Sequence, residues 1–302
     1  MKAILCLTLM LCLHLQNSFP QAPTRGDIVI NEVLFNPSKE GYDYIEGYNK
    51  SEDTIDLRGL VIANRNAAGD IASEKPVSHD STHLPPGAYF VITSNEKWLR
   101  QHYHIPQSAI ICQVSAMPSF PDDEGTVIFL NSQDSIIDEL AYNSKWHFSL
   151  LTDPSGIALE RISYDLPTQN RSNWTSASSS SGYGTPGYKN SQFRDGLDID
   201  DEIVVPHLFS PDNDGINDIE LIQFKMKEPG FVANTTIYDL SGRKVRYLIK
   251  NETPGLSAIY KWDGLDEKSQ PIPAGIYILV TEMFNLNGTT KRFKNAVTLA
   301  RK

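Results

Sequence analysis

The chain has 302 residues, of which 40% are hydrophobic and 21% charged, a composition typical of a folded protein long enough for two domains. Its formal net charge of −10 argues against general nucleic-acid binding, which relies on a cationic surface to neutralise phosphates. We therefore expect an acidic globular protein with no direct nucleic-acid partner.

The N-terminal segment is the first element with a clear pattern. Lys2 is followed by an apolar run from Ala3 to about Leu15, which is shorter than the roughly 20 residues that a helix needs to span a bilayer. Such a run is typical of a secretory signal peptide, so we predict one over residues 1–22 and export of the remainder. Cleavage after Ser18 and lipid attachment at Cys12 are alternatives at this end. No later apolar run approaches transmembrane length.

Cysteine usage agrees with this interpretation. Cys6 and Cys12 lie in the predicted signal, so the exported chain keeps Cys112 alone and forms no intramolecular disulfide. Cys112 lies in the apolar run "SAIICQV", which predicts a buried strand residue rather than a nucleophile.

Residues 25–174 are predicted to form short β-strands separated by Gly, Asn, Asp and Pro, as in "DIVINEVLF" and "GAYFVITS". A single short helix is predicted at "NEKWLRQHY", with Asn95 as its N-cap and Trp98 and Leu99 facing inward. Short strands without intervening helices favour an antiparallel sandwich.

A Ser-, Gly- and Thr-rich segment over 175–202 has no apolar periodicity and is interpreted as a closing segment and linker. Strands resume over 203–302, with hairpin turns predicted at Ser241-Gly242 and Asn287-Gly288. The predicted fold class is therefore all-β: two immunoglobulin-like antiparallel β-sandwich domains joined by a Ser/Gly-rich linker.

The first half contains the segments "IVINEV" (28–33), "YIEGYN" (44–49) and "IDLRG" (55–59). In these segments it resembles the lamin-tail domain of secreted bacterial proteins. It departs from the family pattern at Gly47, where an apolar strand residue is usual, and at Leu60, where an aromatic is common. The resemblance implies an immunoglobulin-like sandwich acting as an accessory or binding module, found beside nucleases and other hydrolases and also without any enzyme. Glu32 and Glu46 lie in strand context and are interpreted as hydrogen-bonded or solvated face residues rather than catalytic acids. The matching residues are Ile28, Ile30, Asn31, Glu32, Tyr44, Ile45, Glu46, Tyr48, Asn49, Ile55, Asp56, Leu57 and Gly59.

The second half contains the segments "VPHLFSPDNDGIND" (205–218), "IYDLSGRKV" (237–245), "WDG" (262–264) and "VTLAR" (297–301). In these segments it resembles the C-terminal domains associated with gliding motility and type IX secretion. Flagellar-hook-type immunoglobulin-like domains share much of the same pattern. The resemblance implies passage across an outer membrane, with this domain as the export signal and the type IX secretion machinery as partner. The matching residues are Val205, Pro206, Phe209, Ser210, Pro211, Asp214, Gly215, Asn217, Asp218, Ile237, Tyr238, Asp239, Gly242, Val245, Trp262, Asp263, Gly264, Ile272, Pro273, Gly275, Tyr277, Val297, Thr298, Leu299 and Arg301.

The loop "FSPDNDGIND" is the sequence's candidate metal site. Its ligands would be Asp212, Asp214, Asn217 and Asp218, and calcium is the ion that such oxygens favour. The glycine and glutamate positions of an EF-hand are not met. The alternative is a turn in which the Asn and Asp side chains bond their own backbone.

No catalytic constellation is found, since the sequence has no nucleophile elbow, zinc-protease motif or phosphate-binding loop. We therefore expect an exported, non-catalytic cell-surface or secreted binding or structural protein with a surface protein or polysaccharide as ligand. The alternative is an accessory module of an extracellular nuclease or other hydrolase system. A small metal-dependent enzyme is the least supported reading.

Overall fold

The computed structural model describes residues 23–194 and 200–301. The fold is nearly all β, with one α-helix among the described residues and sheets whose strands pair mostly in antiparallel register. This confirms the predicted fold class of two immunoglobulin-like sandwiches. No helix among the described residues is long and apolar enough to cross a membrane. The predicted signal peptide, with Cys6 and Cys12, lies outside the described residues.

The N-terminal domain packs a six-stranded sheet of order β12-β11-β1-β2-β7-β8 against a four-stranded sheet of order β10-β9-β4-β5, and β3 pairs with β6 in a separate two-stranded ladder. Its elements are β1 Ile28–Leu34, β2 Tyr44–Asn49, β3 Ile55–Asp56, β4 Leu60–Arg65, β5 Ile71–Pro76, β6 His83–Leu84, β7 Tyr89–Thr93, α1 Glu96–His102, β8 Ile110–Gln113, β9 Glu124–Asn131, β10 Ile136–Asn143, β11 Leu159–Arg161 and β12 Trp174–Ser176.

The core of this domain comes from side chains that alternate inward along the strands, as a two-layer sandwich requires. Leu60 contributes to it directly and is fully buried, so the common aromatic is not needed at that position. Gly47 is compensated by its cross-strand partner Phe90, whose ring occupies the space where a side chain at 47 would lie. The sequence departures at 47 and 60 therefore leave the core filled.

Helix α1 begins as predicted. The Asn95 side chain accepts a hydrogen bond from the backbone N–H of Trp98 at 3.0 Å, and Trp98 and Leu99 are buried. Cys112 is a buried residue of β8, and burial raises the pKa of its thiol to about 12. A thiol held protonated in this way is a packing residue, as the sequence suggested.

The C-terminal domain packs a three-stranded sheet of order β13-β15-β18 against a five-stranded sheet of order β14-β20-β19-β16-β17. Both predicted hairpin turns are present, with Gly242 and Gly288 at positive φ. Its strands are β13 Glu202–Val204, β14 Leu208–Phe209, β15 Glu220–Lys225, β16 Phe231–Asp239, β17 Lys244–Glu252, β18 Ser257–Trp262, β19 Gly275–Asn285 and β20 Thr290–Leu299.

Part of the Ser-, Gly- and Thr-rich segment that was predicted as a closing segment and linker is packed against the N-terminal domain. Residues 177–193, here called the closing segment, fold back onto the six-stranded sheet, and Ser178, Thr185, Asn190 and Gln192 are buried. A run with no apolar periodicity can still pack when its polar groups find hydrogen-bond partners. The remainder of the predicted linker includes residues 195–199, which lie outside the described residues.

Candidate functional site

Three glutamates form a row across adjacent strands of the six-stranded sheet. Glu32 on β1 lies opposite Glu46 on β2 and opposite Glu160 on β11. A β-bulge between Ile30 and Glu32 shifts the register there, and such bulges re-aim side chains. All three glutamates are fully buried. We call Glu46, Glu32 and Glu160 the glutamate row.

Like charges directly opposite each other in a sheet repel, so the row requires either donors or protons to be stable. The structure supplies donors. Glu32 accepts from the Tyr44 hydroxyl at 2.9 Å and from the Thr185 N–H at 2.8 Å. Glu46 accepts from the Asn31 side-chain amide at 2.7 Å and from the Gly187 N–H at 2.5 Å.

Glu160 is held by the far end of the closing segment. It accepts from the Ser191 hydroxyl at 2.8 Å and from the Gln192 N–H at 2.8 Å. Each glutamate of the row therefore accepts a backbone N–H of the closing segment. No salt bridge joins the row to a cation among residues 23–194 and 200–301. Within the described residues, these acids are held by hydrogen bonds rather than by ion pairs.

The Thr185 hydroxyl lies between two carboxyls of the row. Its oxygen lies 3.1 Å from Glu32 Oε2 and 3.0 Å from Glu160 Oε1. A hydroxyl has a single hydrogen to donate but can also accept. Both contacts are satisfied together when one of the two carboxyls is protonated and donates to Thr185.

The electrostatics lead to the same conclusion. Burial and the charge of Glu160 raise the pKa of Glu32 to about 8, although the Thr185 and Tyr44 bonds oppose the shift. Burial raises the pKa of Glu160 to about 7, and burial together with the charge of Glu32 raises the pKa of Glu46 well above its ordinary value. Burial therefore favours the protonated form of each carboxyl in the row.

The sequence interpretation of Glu32 and Glu46 as hydrogen-bonded residues is correct, but it did not place Glu160 or Thr185 beside them. The local sequence does not mark either residue as part of a site, because Glu160 lies in the ordinary strand pattern "ALERI" and Thr185 lies in the Ser-rich run. What brings them together is strand pairing between distant parts of the chain.

The closing segment also contacts the C-terminal domain. The Ser179 hydroxyl donates to Glu252 at 2.8 Å and accepts from the Thr253 N–H at 2.8 Å. The Leu256 N–H donates to the Ser191 carbonyl at 3.2 Å. Ser191 therefore bonds the glutamate row with its side chain and the second domain with its backbone.

The predicted metal loop lies between β14 and β15. Carboxylate oxygens of Asp212, Asp214 and Asp218 all lie within 4.8 Å of one another, so the structure brings together three of the four predicted ligands. The fourth predicted ligand, Asn217, shapes the loop through its backbone. Its φ is 55°, and its carbonyl accepts a hydrogen bond from the Ser210 N–H at 2.8 Å.

The same carboxylates also make the bonds of the turn alternative. Asp218 accepts the Asn213 and Gly215 N–H groups at 2.6 and 2.8 Å, and Asp214 accepts the Ile216 N–H at 2.9 Å. Each carboxylate has more lone pairs than these bonds use. The carboxylates can therefore shape the turn and still offer lone pairs to a cation.

We expect calcium at a hundredfold excess over its Kd to stabilise the protein by about 2.7 kcal/mol, if the loop takes the ion. Asp214→Asn keeps an oxygen to accept the Ile216 N–H but removes a charge, so this variant should lose the gain in melting temperature while folding normally. Glu228→Gln, at an exposed acid outside the loop, is the matched control. Calorimetry showing no heat, with no change in melting temperature, would establish the turn reading.

Comparison with known proteins supports the division into two units. Residues 21–144 match the family model described as Lamin Tail Domain, and residues 203–299 match the CHU_C Type IX secretion signal domain. Strands β11 and β12 belong to the six-stranded sheet but lie beyond the first match, as does the closing segment. No curated protein matches the chain.

Solved structures show only distant similarity. CopC from Methylosinus trichosporium OB3b is 12% identical, over 34% of this chain and 95% of that one, with a TM-score of 0.24. Dimeric latent PorU from Porphyromonas gingivalis is 10% identical, over 97% of this chain and 21% of that one, with a TM-score of 0.27. PorZ, a surface component of the type IX secretion system of the same organism, is 13% identical, over 89% of this chain and 38% of that one, with a TM-score of 0.21.

The assignment of the two domains comes from the two family matches. Their order along the chain and the two sandwiches agree with the motifs in the sequence. The chain carries an N-terminal lamin tail domain and a C-terminal CHU_C type IX secretion signal domain, and is a surface or secreted protein.

Proposed function

We propose that this is a non-catalytic surface protein in which the secretion signal domain delivers the lamin tail domain, and the lamin tail domain binds a surface protein or polysaccharide. The type IX secretion machinery is its partner during export. Its localisation after export is the outer cell surface or the medium.

The proposal rests on one observation: the buried glutamates are hydrogen-bonded to the closing segment. An acid or base in catalysis must reach the substrate. The glutamate row contains three of the acids whose pKa values are raised, and each accepts a backbone N–H of the closing segment that covers it. These groups therefore serve to hold the segment in place, which suits a rigid binding module.

The test uses the purified full chain. We expect no turnover of DNA or polysaccharide, and retention of components from the outer-membrane fraction on immobilised protein. Glu32→Gln provides the decisive variant: turnover that survives repurification and is lost in this variant would overturn the non-catalytic assignment. Absence of any retained protein or polysaccharide would overturn the binding role.

A further inference from the structure

The loop between β17 and β18 lies against the closing segment of the other domain. Ser179 and Thr253 bond each other twice: the Ser179 N–H donates to the Thr253 carbonyl at 3.1 Å, and the Thr253 N–H donates to the Ser179 hydroxyl at 2.8 Å. The Ser179 hydroxyl in turn donates to the Glu252 carboxylate at 2.8 Å. We call residues 252–256 the docking loop.

Gly255 allows the docking loop to come this close. Its φ is +72°, in the left-handed region that glycine adopts without strain. A Cβ at this position would lie 3.0 Å from the Ser178 Cβ and 3.0 Å from the Ser191 carbonyl oxygen. That carbonyl accepts the Leu256 N–H at 3.2 Å. A larger residue at position 255 would therefore push the docking loop away from the closing segment.

Apolar contacts support the same arrangement of the two domains. Ile162, which directly follows β11 of the lamin tail domain, packs against the core of the secretion signal domain. Gly230 lies beside Phe148, with 3.6 Å between its Cβ position and the nearest ring atom. Packing as well as hydrogen bonding therefore joins the domains.

The closing segment bonds the docking loop and the glutamate row from one stretch of backbone. Ser179 and Ser191 bond the docking loop. Between them, the Thr185 and Gly187 N–H groups donate to the row. Ser191 has both partners, since its hydroxyl also donates to Glu160 at 2.8 Å. Bonds to the two partners therefore alternate along the segment, and a displacement at one bond shifts the residues that make the next.

We propose that the closing segment and the docking loop form a clasp, in which closure of the segment over the glutamate row and docking of the secretion signal domain are one coupled equilibrium. The docked signal domain holds the segment on the row, and the segment held on the row presents the surface on which the signal domain docks. Such coupling is reciprocal, so a change at either end alters the other. The alternative is two independent sets of bonds.

The clasp has a consequence for the signal domain. A domain on a free tether would be indifferent to the lamin tail domain that precedes it. A clasped domain is carried in a fixed position, and displacing it loosens the cover of the glutamate row. This coupling does not depend on which ligand the lamin tail domain binds.

Hydrogen exchange of the full chain, followed peptide by peptide, measures how often each part opens. Gly255→Ala should lift the docking loop from the closing segment. We then expect the peptide that contains the Thr185 and Gly187 amides to exchange about fivefold faster, because hydrogen bonds that hold the segment from the other side are lost. These amides bond Glu32 and Glu46 rather than the altered loop, so faster exchange there reports the coupling.

The matched control is Gly288→Ala in the β19–β20 turn. Gly288 has a φ of +77°, and its Cβ position has no atom of the described residues within 4 Å. Alanine there introduces the same backbone strain without a contact, and exchange of the closing segment should be unchanged. An equal rise in Gly288→Ala would attribute the effect to a general loss of stability and overturn the clasp.

Ser179→Ala tests the same end of the clasp without backbone strain, and it decides the question if Gly255→Ala does not fold. It removes the hydroxyl that bonds Glu252 and Thr253 but leaves the bonds to the glutamate row. We expect the Thr185 and Gly187 amides to exchange about threefold faster. If their exchange is unchanged while that of the docking loop rises, the two sets of bonds are independent and the clasp is wrong.

The reverse direction uses Ser191→Ala, with Ser132→Ala at an exposed turn serine as control. The variant loses the hydroxyl bond to Glu160 but keeps the carbonyl that accepts the Leu256 N–H. Because coupling is reciprocal, the Leu256 amide of the signal domain should exchange about threefold faster, and the control should match the unaltered protein. Unchanged exchange at Leu256, or an equal rise in the control, would also overturn the clasp.

Discussion

Raising the pH from 5 to 9 is expected to destabilise the protein by on the order of 3 kcal/mol, because the glutamate row must give up protons that the fold retains. The pKa of Glu32 is raised to about 8 and that of Glu160 to about 7. A carboxyl whose pKa is raised by folding stabilises the folded state fully below its unfolded pKa. That contribution is lost as the pH rises through the folded pKa, so stability falls between about pH 4.5 and 8.

Other buried acids add to the same loss of stability with rising pH. Burial raises the pKa of Asp43 to about 7, with the charge of Asp122 contributing, and burial raises the pKa of Glu220 to about 7. Glu220 has no hydrogen-bond donor for either carboxylate oxygen among the residues that the structure describes. The pH dependence of the unaltered protein therefore reports several sites, and variants are needed to assign it.

Glu32→Gln isolates the contribution of the row. Glutamine keeps an oxygen for the Thr185 N–H and Tyr44 hydroxyl, and its amide can donate to the Thr185 hydroxyl as a protonated carboxyl does. We expect stability close to that of the unaltered protein at pH 5 and a gain of about 1–3 kcal/mol at pH 8, where the charge is no longer buried. Chemical denaturation at the two pH values measures the difference.

Glu74→Gln provides the control for this measurement, since Glu74 is an exposed residue of β5 and should leave the pH dependence unchanged. If the free energy of unfolding of the Glu32→Gln variant depends on pH as that of the unaltered protein does, the row is not protonated. A loss of stability at both pH values would instead show that the carboxylate itself is required. Either result would remove the role assigned to protons at Thr185.

Local patterns were sufficient to predict much of the fold. Alternating apolar residues predicted the strands, the Asn95 cap predicted α1, and the Asn-Gly and Ser-Gly pairs predicted the two hairpins. Each of these signals depends on residues close in sequence, where backbone conformation and capping act. The acidic loop also belongs to this group, because Asp212, Asp214 and Asp218 are brought together by a single turn.

The glutamate row, and the contacts by which the closing segment covers it, depend on distant parts of the chain and were not predicted. Thr185 bonds Glu32 across 153 positions, and Gly187 bonds Glu46 across 141. A Ser- and Gly-rich run offers backbone N–H groups and hydroxyls at almost every position, so composition alone does not distinguish a flexible linker from a segment that satisfies buried acids. The pairing of β1 with β11, which places Glu160 beside Glu32, could not be predicted from local sequence patterns.

Replacing Gly47 with leucine is expected to destabilise the lamin tail domain by about 3 kcal/mol, although leucine is the residue type that the strand pattern favours. A Cβ at position 47 would lie 2.3 Å from the Phe90 ring and 3.1 Å from that of Phe129. Both rings are fully buried, so neither can move away without disturbing the core. Gly47 does not have a positive φ, so backbone strain does not contribute. Thermal and urea unfolding of the Gly47→Leu variant measure the effect.

A double-mutant cycle with Phe90 tests the reason. Phe90→Ala alone should cost about 3–5 kcal/mol, since it empties a buried ring site. In the chain that combines Gly47→Leu with Phe90→Ala, the leucine can occupy the space that the ring leaves, so the double variant should be at least about 1 kcal/mol more stable than the sum of the single effects predicts. Additive losses would mean that the two positions do not share one volume. The favourable coupling expected here would mean instead that the Phe90 ring, on the neighbouring strand, fills the volume that a side chain at position 47 would take.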